Sequence, residues 1–521
     1  MSTLTSRKAT RFVLGSLVCA VMAAAVYAQT SGEMQSADTR QWIRAGQGGM
    51  LEADAAFNNL HGKLGIVNAG GAVDMTGHPF FEPIGSNGRA CVTCHQPSDS
   101  MGLALASIRQ QWELTQGDDP LFDPIDGANC PNLPRADPSS HSLLLNRGLI
   151  RVGLAWPPGP RNGVPVVPEF DIEVVRDPTG CNTSTEYGLE SAKPTISVYR
   201  RPRIAANAKY VSYESNPLNA KRLAMVVDRD RFTGKYMSMN IMSDAREASL
   251  RTQAVSAARD HLQMQEALPE DMMEKIVSFE EQVFAAQVES NVGGALAYAG
   301  GPDALGPRNM EKFDRGLGDN FGVPLFRNFD MWKTAAPGET AAQREFRESV
   351  ARGHDVFFIR VFYVTDTAHI NTVGLGNPMK RTCATCHNSA MVGTDLSAGW
   401  VDVGTANLPY ARQNVPNPFQ AEVQHDLPLF KITCNDEARP HPFLGRVIYT
   451  QDPGRALISG KCYDVGAIVM GQFRGLAARA PYFSNGSAST LRDLVDFYDR
   501  RFNIGYTEQE KADLTNFLSV L

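Results

Sequence analysis

Two five-residue stretches carry the residue types and spacing that could do chemistry: Cys91-Val92-Thr93-Cys94-His95 and Cys383-Ala384-Thr385-Cys386-His387. Both read C-x-x-C-H, the attachment sequence for c-type haem. Two thiols three apart lie on one side of a helical turn, so each can form a thioether to a haem vinyl group. The imidazole that follows then faces the iron as proximal ligand. A thioredoxin-like redox pair needs no adjacent histidine and sits in a βαβ setting that is not evident here. A zinc site would need closely matched partner pairs, which neither copy has. The motifs therefore imply two covalently bound haem c groups, attached at Cys91 and Cys94 and at Cys383 and Cys386, with His95 and His387 as iron ligands.

The elements around the motifs repeat in part. Gly77-His78-Pro79-Phe80-Phe81 precedes the first and Gly353-His354-Asp355-Val356-Phe357-Phe358 the second, and Arg89 or Arg381 stands two residues before the first cysteine of each. One haem module used twice fits this pattern. Apolar residues at helical spacing predict helices over 344–358 and 508–521, positioned to clamp a haem edge, and an amphipathic helix over 270–287 whose stripe contains Met273, Ile276, Val277, Glu280, Val283 and Phe284. The five prolines of 156–168 predict a loop, and the alternation in 170–174 a strand that ends at the 177–180 turn. A boundary is expected near 307–337, a stretch rich in Gly, Asn and Pro.

At 521 residues, 43% hydrophobic and 20% charged, the chain has the composition of a globular protein of several cores. Fifty basic against 56 acidic residues give a net charge of −6. That argues against a nucleic-acid partner, which would call for a basic excess. Arg7, Lys8 and Arg11 ahead of the apolar run 12–26, followed by Val26-Tyr27-Ala28, read as a signal peptide cleaved after Ala28. The run is shorter than the roughly 20 residues of a membrane span, so no span is expected after cleavage, and the address is the periplasm. Of the nine cysteines, Cys19 leaves with the leader and four belong to the motifs. An oxidising compartment lets the remaining four pair. Local order suggests Cys130 with Cys181 and Cys434 with Cys462, although four cysteines permit three pairings. No dinucleotide loop, phosphate loop or nucleophile elbow is found.

With these residues in view, the chain resembles the bacterial dihaem cytochrome c peroxidase and MauG family over most of its mature length, with an enlarged first half. The segment 480–491, reading APYFSNGSASTL, is similar to that family's A/T-P-Y-F-H-D-G-x-x-x-T-L, and Asp244-Ala245-Arg246 through Leu250 and Gln253 to its W-D-G-R-x-x-x-L-x-x-Q. The resemblance implies a mainly α fold of two cytochrome c-like haem domains with loop-rich and small β insertions in the first half. The leader would occupy 1–28, the first domain 29–330 and the second 331–521. It implies a catalytic first haem and a second that supplies or stores an electron.

Departures from the family refine these expectations. Fourteen residues after Ser484, which replaces the family histidine, stands Tyr498, where the peroxidases place Met and MauG Tyr; Met470 is the competing ligand of the second iron. A phenolate favours ferric and higher states, whereas a thioether raises the potential. Gln263 takes the place of the family's pocket Glu and cannot relay a proton, while His261 could. The resemblance makes His261, Gln263, Gln253 and Arg246 the expected catalytic set. Ser243 replaces the Trp that lies between the haems. Gln111 and Trp112 stand where resting peroxidases carry a switchable histidine, so a five-coordinate or water-bound first haem is expected. The family's interdomain calcium is not carried over, because Arg201 and Arg479 occupy the matching positions.

The activity implied is a periplasmic oxidoreductase reacting with hydrogen peroxide or dioxygen at the first haem. Its electrons would come through the second from a small redox protein such as a cytochrome c or cupredoxin. The alternatives are a pure electron shuttle and a dihaem oxygenase resembling the rubber oxygenases.

Overall fold

The computed structural model describes residues 40–161, 163–214, 229–230, 234–238, 241–312, 328–369, 378–387, 399–407 and 424–521; the leader expected at 1–28 lies outside them. A mainly α fold is not what forms. Among the described residues, ten α-helices share the chain with seventeen strands arranged in seven sheets. The β content is not confined to small insertions in the first half, so the cytochrome c-like expectation is corrected on the architecture itself.

The four-stranded sheet shows why. Its order is Gly294–Ala295, Val283–Ser290, Gly62–Asn68 and Asp54–Asn59, every neighbour antiparallel. The helix expected over 270–287 stops at Gln282, and Val283 begins a strand. Val283-Phe284-Ala285-Ala286 is a continuous apolar run. Wrapped on a helix, four such residues would point round the whole circumference. In a strand covered on both faces all four are buried, which is what is seen.

The helices expected in the second half are present, as Ala341–Ile359 and Glu508–Ser519. Each begins with a capping box, Thr340 with Gln343 and Thr507 with Glu510, which satisfies two of the free N–H groups of the first turn. The pair crosses closely at Gly353: a Cβ there would come 2.0 Å from the carbonyl oxygen of Asp513. Beside the crossing, Ser349 Oγ donates to Asp513 at 2.6 Å and Arg352 forks onto the same carboxylate at 2.8 and 2.9 Å.

The two halves of the chain share a sheet. Phe170–Arg176, the strand expected at 170–174, pairs with Leu429–Cys434, which pairs in turn with Val447–Thr450. Phe170, Phe430, Ile432 and Ile448 form the core beneath it together with Ile196 and Val198 from the strand Thr195–Arg200. Cys130 is bonded to Cys181 and Cys434 to Cys462, the pairing that local order suggested. No described helix is long and apolar enough to cross a membrane.

Thr195–Arg200 ends in a buried cation. Arg200 forks onto Asp452 at 2.7 and 2.8 Å and pairs with Asp244 on its other side. Both carboxylates are buried, and Asp244 is held well below the usual carboxylate range by Arg246 and Arg200. Removing one partner of such a set strands a charge in the interior, so Arg200→Leu is expected to cost about 3–5 kcal/mol of stability. Gly353→Ala, which forces the two second-half helices apart, should cost about 1–3 kcal/mol. Denaturant unfolding of the two variants checks both figures.

Candidate functional site

The two C-x-x-C-H stretches adopt the same turn. Cys91–Thr93 and Cys383–Thr385 are each one turn of 3₁₀-helix. In both, the histidine N–H donates to the carbonyl of the first cysteine, His95 to Cys91 at 3.1 Å and His387 to Cys383 at 3.0 Å. None of the four cysteines is in a disulfide. Burial pushes the thiols up, to about 12 at Cys94 and about 11 at Cys383, so neither pair is poised as the reactive thiolate of a redox motif.

The first turn lines a cavity of about 170 Å³. Arg89 anchors it: its guanidinium donates to the carbonyls of Pro120 at 2.7 Å and Leu121 at 2.8 Å and pairs with Asp126. His95 Nδ1 lies 3.0 Å from the carbonyl oxygen of Met101. That contact puts the proton on Nδ1 and leaves Nε2 with its lone pair, and burial lowers the imidazole's affinity for a second proton. A neutral imidazole oriented through its far nitrogen is what a metal-ligating histidine requires.

The second turn lines a cavity of about 260 Å³. His387 stacks on Phe473 with ring centroids 4.6 Å apart. Tyr498, on the helix Leu491–Phe502, meets His387 edge-on at 6.3 Å, and burial beside Cys386 and Cys383 raises its phenol above the ordinary range. Met470 lines the same cavity, so both side chains expected to compete for the second iron are at hand. The module repeat is closer in sequence than in setting. Arg89 is buried and bonded, whereas its counterpart Arg381 is exposed; Phe357–Phe358 lie on a helix and Phe80–Phe81 in a turn. In each cavity, paired thiols, a following imidazole and apolar walls form a donor set that fits a covalently attached haem.

One wall is common to both cavities. Arg201, Pro202, Arg203 and Ile204, which follow directly on Arg200, line both, as do Ser243 and Gln472. Ser243 thus occupies the divide where an aromatic ring was expected to be missing.

The expected catalytic residues separate into two groups. Arg246, Gln253 and His261 line the first cavity, and Gln263 is not among its lining. The Gln263 amide instead donates to Asp260 O at 2.8 Å at the end of the helix Leu250–Asp260. His261 Nδ1 lies 2.6 Å from Asp126 Oδ2, the carboxylate that also binds Arg89. Gln111 and Trp112 are not among the lining of either cavity; Trp112 packs edge-on against Phe122 at 4.9 Å.

Sequence reasoning missed Glu280. It is 6% exposed, lines the first cavity, and its Oε2 has no hydrogen-bond partner among the described residues. Burial, reinforced by Glu281, pushes its carboxyl up to about 8. The signal was in the sequence, a carboxyl on the apolar stripe of an amphipathic helix, but periodicity alone says only that the position faces inward.

No protein-family model matches the chain, and no curated protein matches it. Among solved structures it is similar to a crystal structure of a MauG-like protein associated with microbial copper homeostasis. The identity is 17%, covering 63% of this chain and 76% of that one, with a TM-score of 0.26.

Glu280 sets a pH dependence. Its folded-state carboxyl titrates above the ordinary value of 4.5. The folded chain therefore keeps a proton that the unfolded chain releases, and stability falls as pH rises through this window. Glu280→Gln removes that loss. Its stability relative to the parent should grow between about pH 5 and about pH 8. Thermal unfolding at the two values checks this, and an offset independent of pH would count against it.

Proposed function

We propose that the chain is an exported dihaem c-type oxidoreductase. Haem would be attached at Cys91 and Cys94 with His95 as ligand, and at Cys383 and Cys386 with His387 as ligand. The observation that carries this is the pair of identical C-x-x-C-H turns, each facing its own cavity across a common wall. A haem supplies one-electron redox chemistry and, where one axial face stays open, a place for a small oxidant.

The first cavity is the reactive one in this reading because the proton-handling side chains gather there. Asp126 holds His261 in the tautomer with the proton on Nδ1, which leaves Nε2 able to take a proton from one oxygen of hydrogen peroxide. Glu280, protonated at neutral pH, can return a proton to the other. Arg246 and Gln253 line the same space and bring N–H donors to its wall. Tyr498 or Met470 would help hold the second haem, and that group would supply the one-electron chemistry needed to accept electrons from a small redox protein.

Three measurements test the proposal. The purified, matured protein should keep its pigment in acidified acetone, and Cys91→Ala with Cys94→Ala should remove one haem of the two. Low-temperature electron paramagnetic resonance of the ferric protein should give a high-spin and a low-spin signal, the latter altered in Tyr498→Phe; two unaltered low-spin signals would indicate a shuttle. His261→Gln should slow peroxide turnover by about 10²-fold or more while leaving both haems in place.

A further inference from the structure

The wall between the cavities holds two cations, and a third stands beside them in the second cavity; among the described residues none of the three is ion-paired with a carboxylate. Arg201 and Arg203 line both cavities, and Arg479 lines the second. Among the described residues, their hydrogen-bond partners are backbone carbonyls. Arg203 donates to Val469 O at 3.0 Å and Met470 O at 2.8 Å; Arg201 donates to Leu103 O at 2.6 Å and Arg479 O at 2.9 Å; Arg479 donates to Gln472 O. Arg201 Nη1 and Arg479 Nε are buried with no hydrogen-bond partner among the described residues. The carboxylates nearby are engaged elsewhere, Asp244 with Arg200 and Arg246, and Asp99 with Arg40, Ser107 and the Ala104 N–H. Burial pulls all three guanidinium groups down to about 10, and Arg479 repels both neighbours.

Cations gathered in the interior without an anion are unfavourable, since carbonyl dipoles replace only part of their lost hydration. The arrangement becomes favourable when carboxylates enter, because a guanidinium fork matches a carboxylate in shape and charge. We propose that Arg201, Arg203 and Arg479 form a shared carboxylate seat that receives propionate groups from both haems at the wall between the cavities. This rests on the covalent-haem reading. It also gives the divide, which has Ser243 in place of an aromatic ring, a fixed positive charge felt by both irons.

The test is spectroelectrochemical titration of the matured dihaem protein against Arg203→Gln, Arg203→Lys and the exposed control Arg344→Gln. A positive charge near a haem disfavours the ferric state. Both reduction potentials are therefore expected to fall in Arg203→Gln, to stay closer to the parent in Arg203→Lys, and not to move in Arg344→Gln. A shift confined to one haem, or none at all, overturns the shared seat while leaving the haem assignment standing; protein without covalent haem overturns both. Parent potentials that move on adding acetate would identify a free small carboxylate as the occupant and overturn the propionate assignment. Should Arg203→Gln fail to fold, resonance Raman spectra of the parent decide the matter. Propionate bending bands at the positions of strongly hydrogen-bonded carboxylates support the seat, and bands at the positions of solvated ones overturn it.

Discussion

The buried bridge from Arg200 to Asp244 and Asp452 is the interaction on which the rest of the structure depends. It closes contacts between residues 44 and 252 positions apart, and it lies at the end of the strand Thr195–Arg200. The next four residues form the wall between the two cavities. Desolvating three charged groups is costly, and the bidentate geometry at Asp452 together with the second carboxylate offsets that cost. The arrangement locks one register: if the strand slipped by a residue, the cation would point to the opposite face and both carboxylates would be stranded.

From that anchor the two cavities are built by different means. Around the first motif the chain turns and loops, and Arg89 gathers the carbonyls of Pro120 and Leu121 with the Asp126 carboxylate, which also orients His261. One residue thereby couples the placement of the cysteine turn to that of a proton-accepting side chain. Around the second motif the work is done by helix packing: Ala341–Ile359 against Glu508–Ser519, with Phe357, Phe517 and Val495 in the apolar cluster that receives Cys383 and Cys386. The first surroundings are rich in titratable polar groups, the second in aromatic surface with Tyr498 and Met470. On that contrast rests the proposal of different tasks for the two sites.

Charge is distributed with the same asymmetry. Glu280, whose carboxyl is pushed up to about 8, and His261, backed by Asp126, line the first cavity, and arginines gather at the divide. The chain as a whole is acidic, at −6, so the concentration of cations at the centre is local and is not a reflection of composition.

Local chemistry was legible in the sequence, because spacing along the chain determines it. Two thiols three apart with a histidine next door specify a turn and its donor set, and both turns formed as that spacing demands. The second-half helices were legible for the same reason, their periodicity and capping residues being near neighbours in sequence. What the tertiary structure decided is what depends on distant partners. Val283 to Ala286 became a strand because Gly62–Asn68 lies beside it, and the β content this reflects is why the mainly α expectation failed. Glu280 became a cavity carboxyl and Arg203 came to face two cavities because residues far off in the chain were brought beside them, whereas the Gln263 amide turned back onto Asp260 and left the pocket. Hydrophobic period reports which side of an element faces inward, but only the packed fold determines what that side meets.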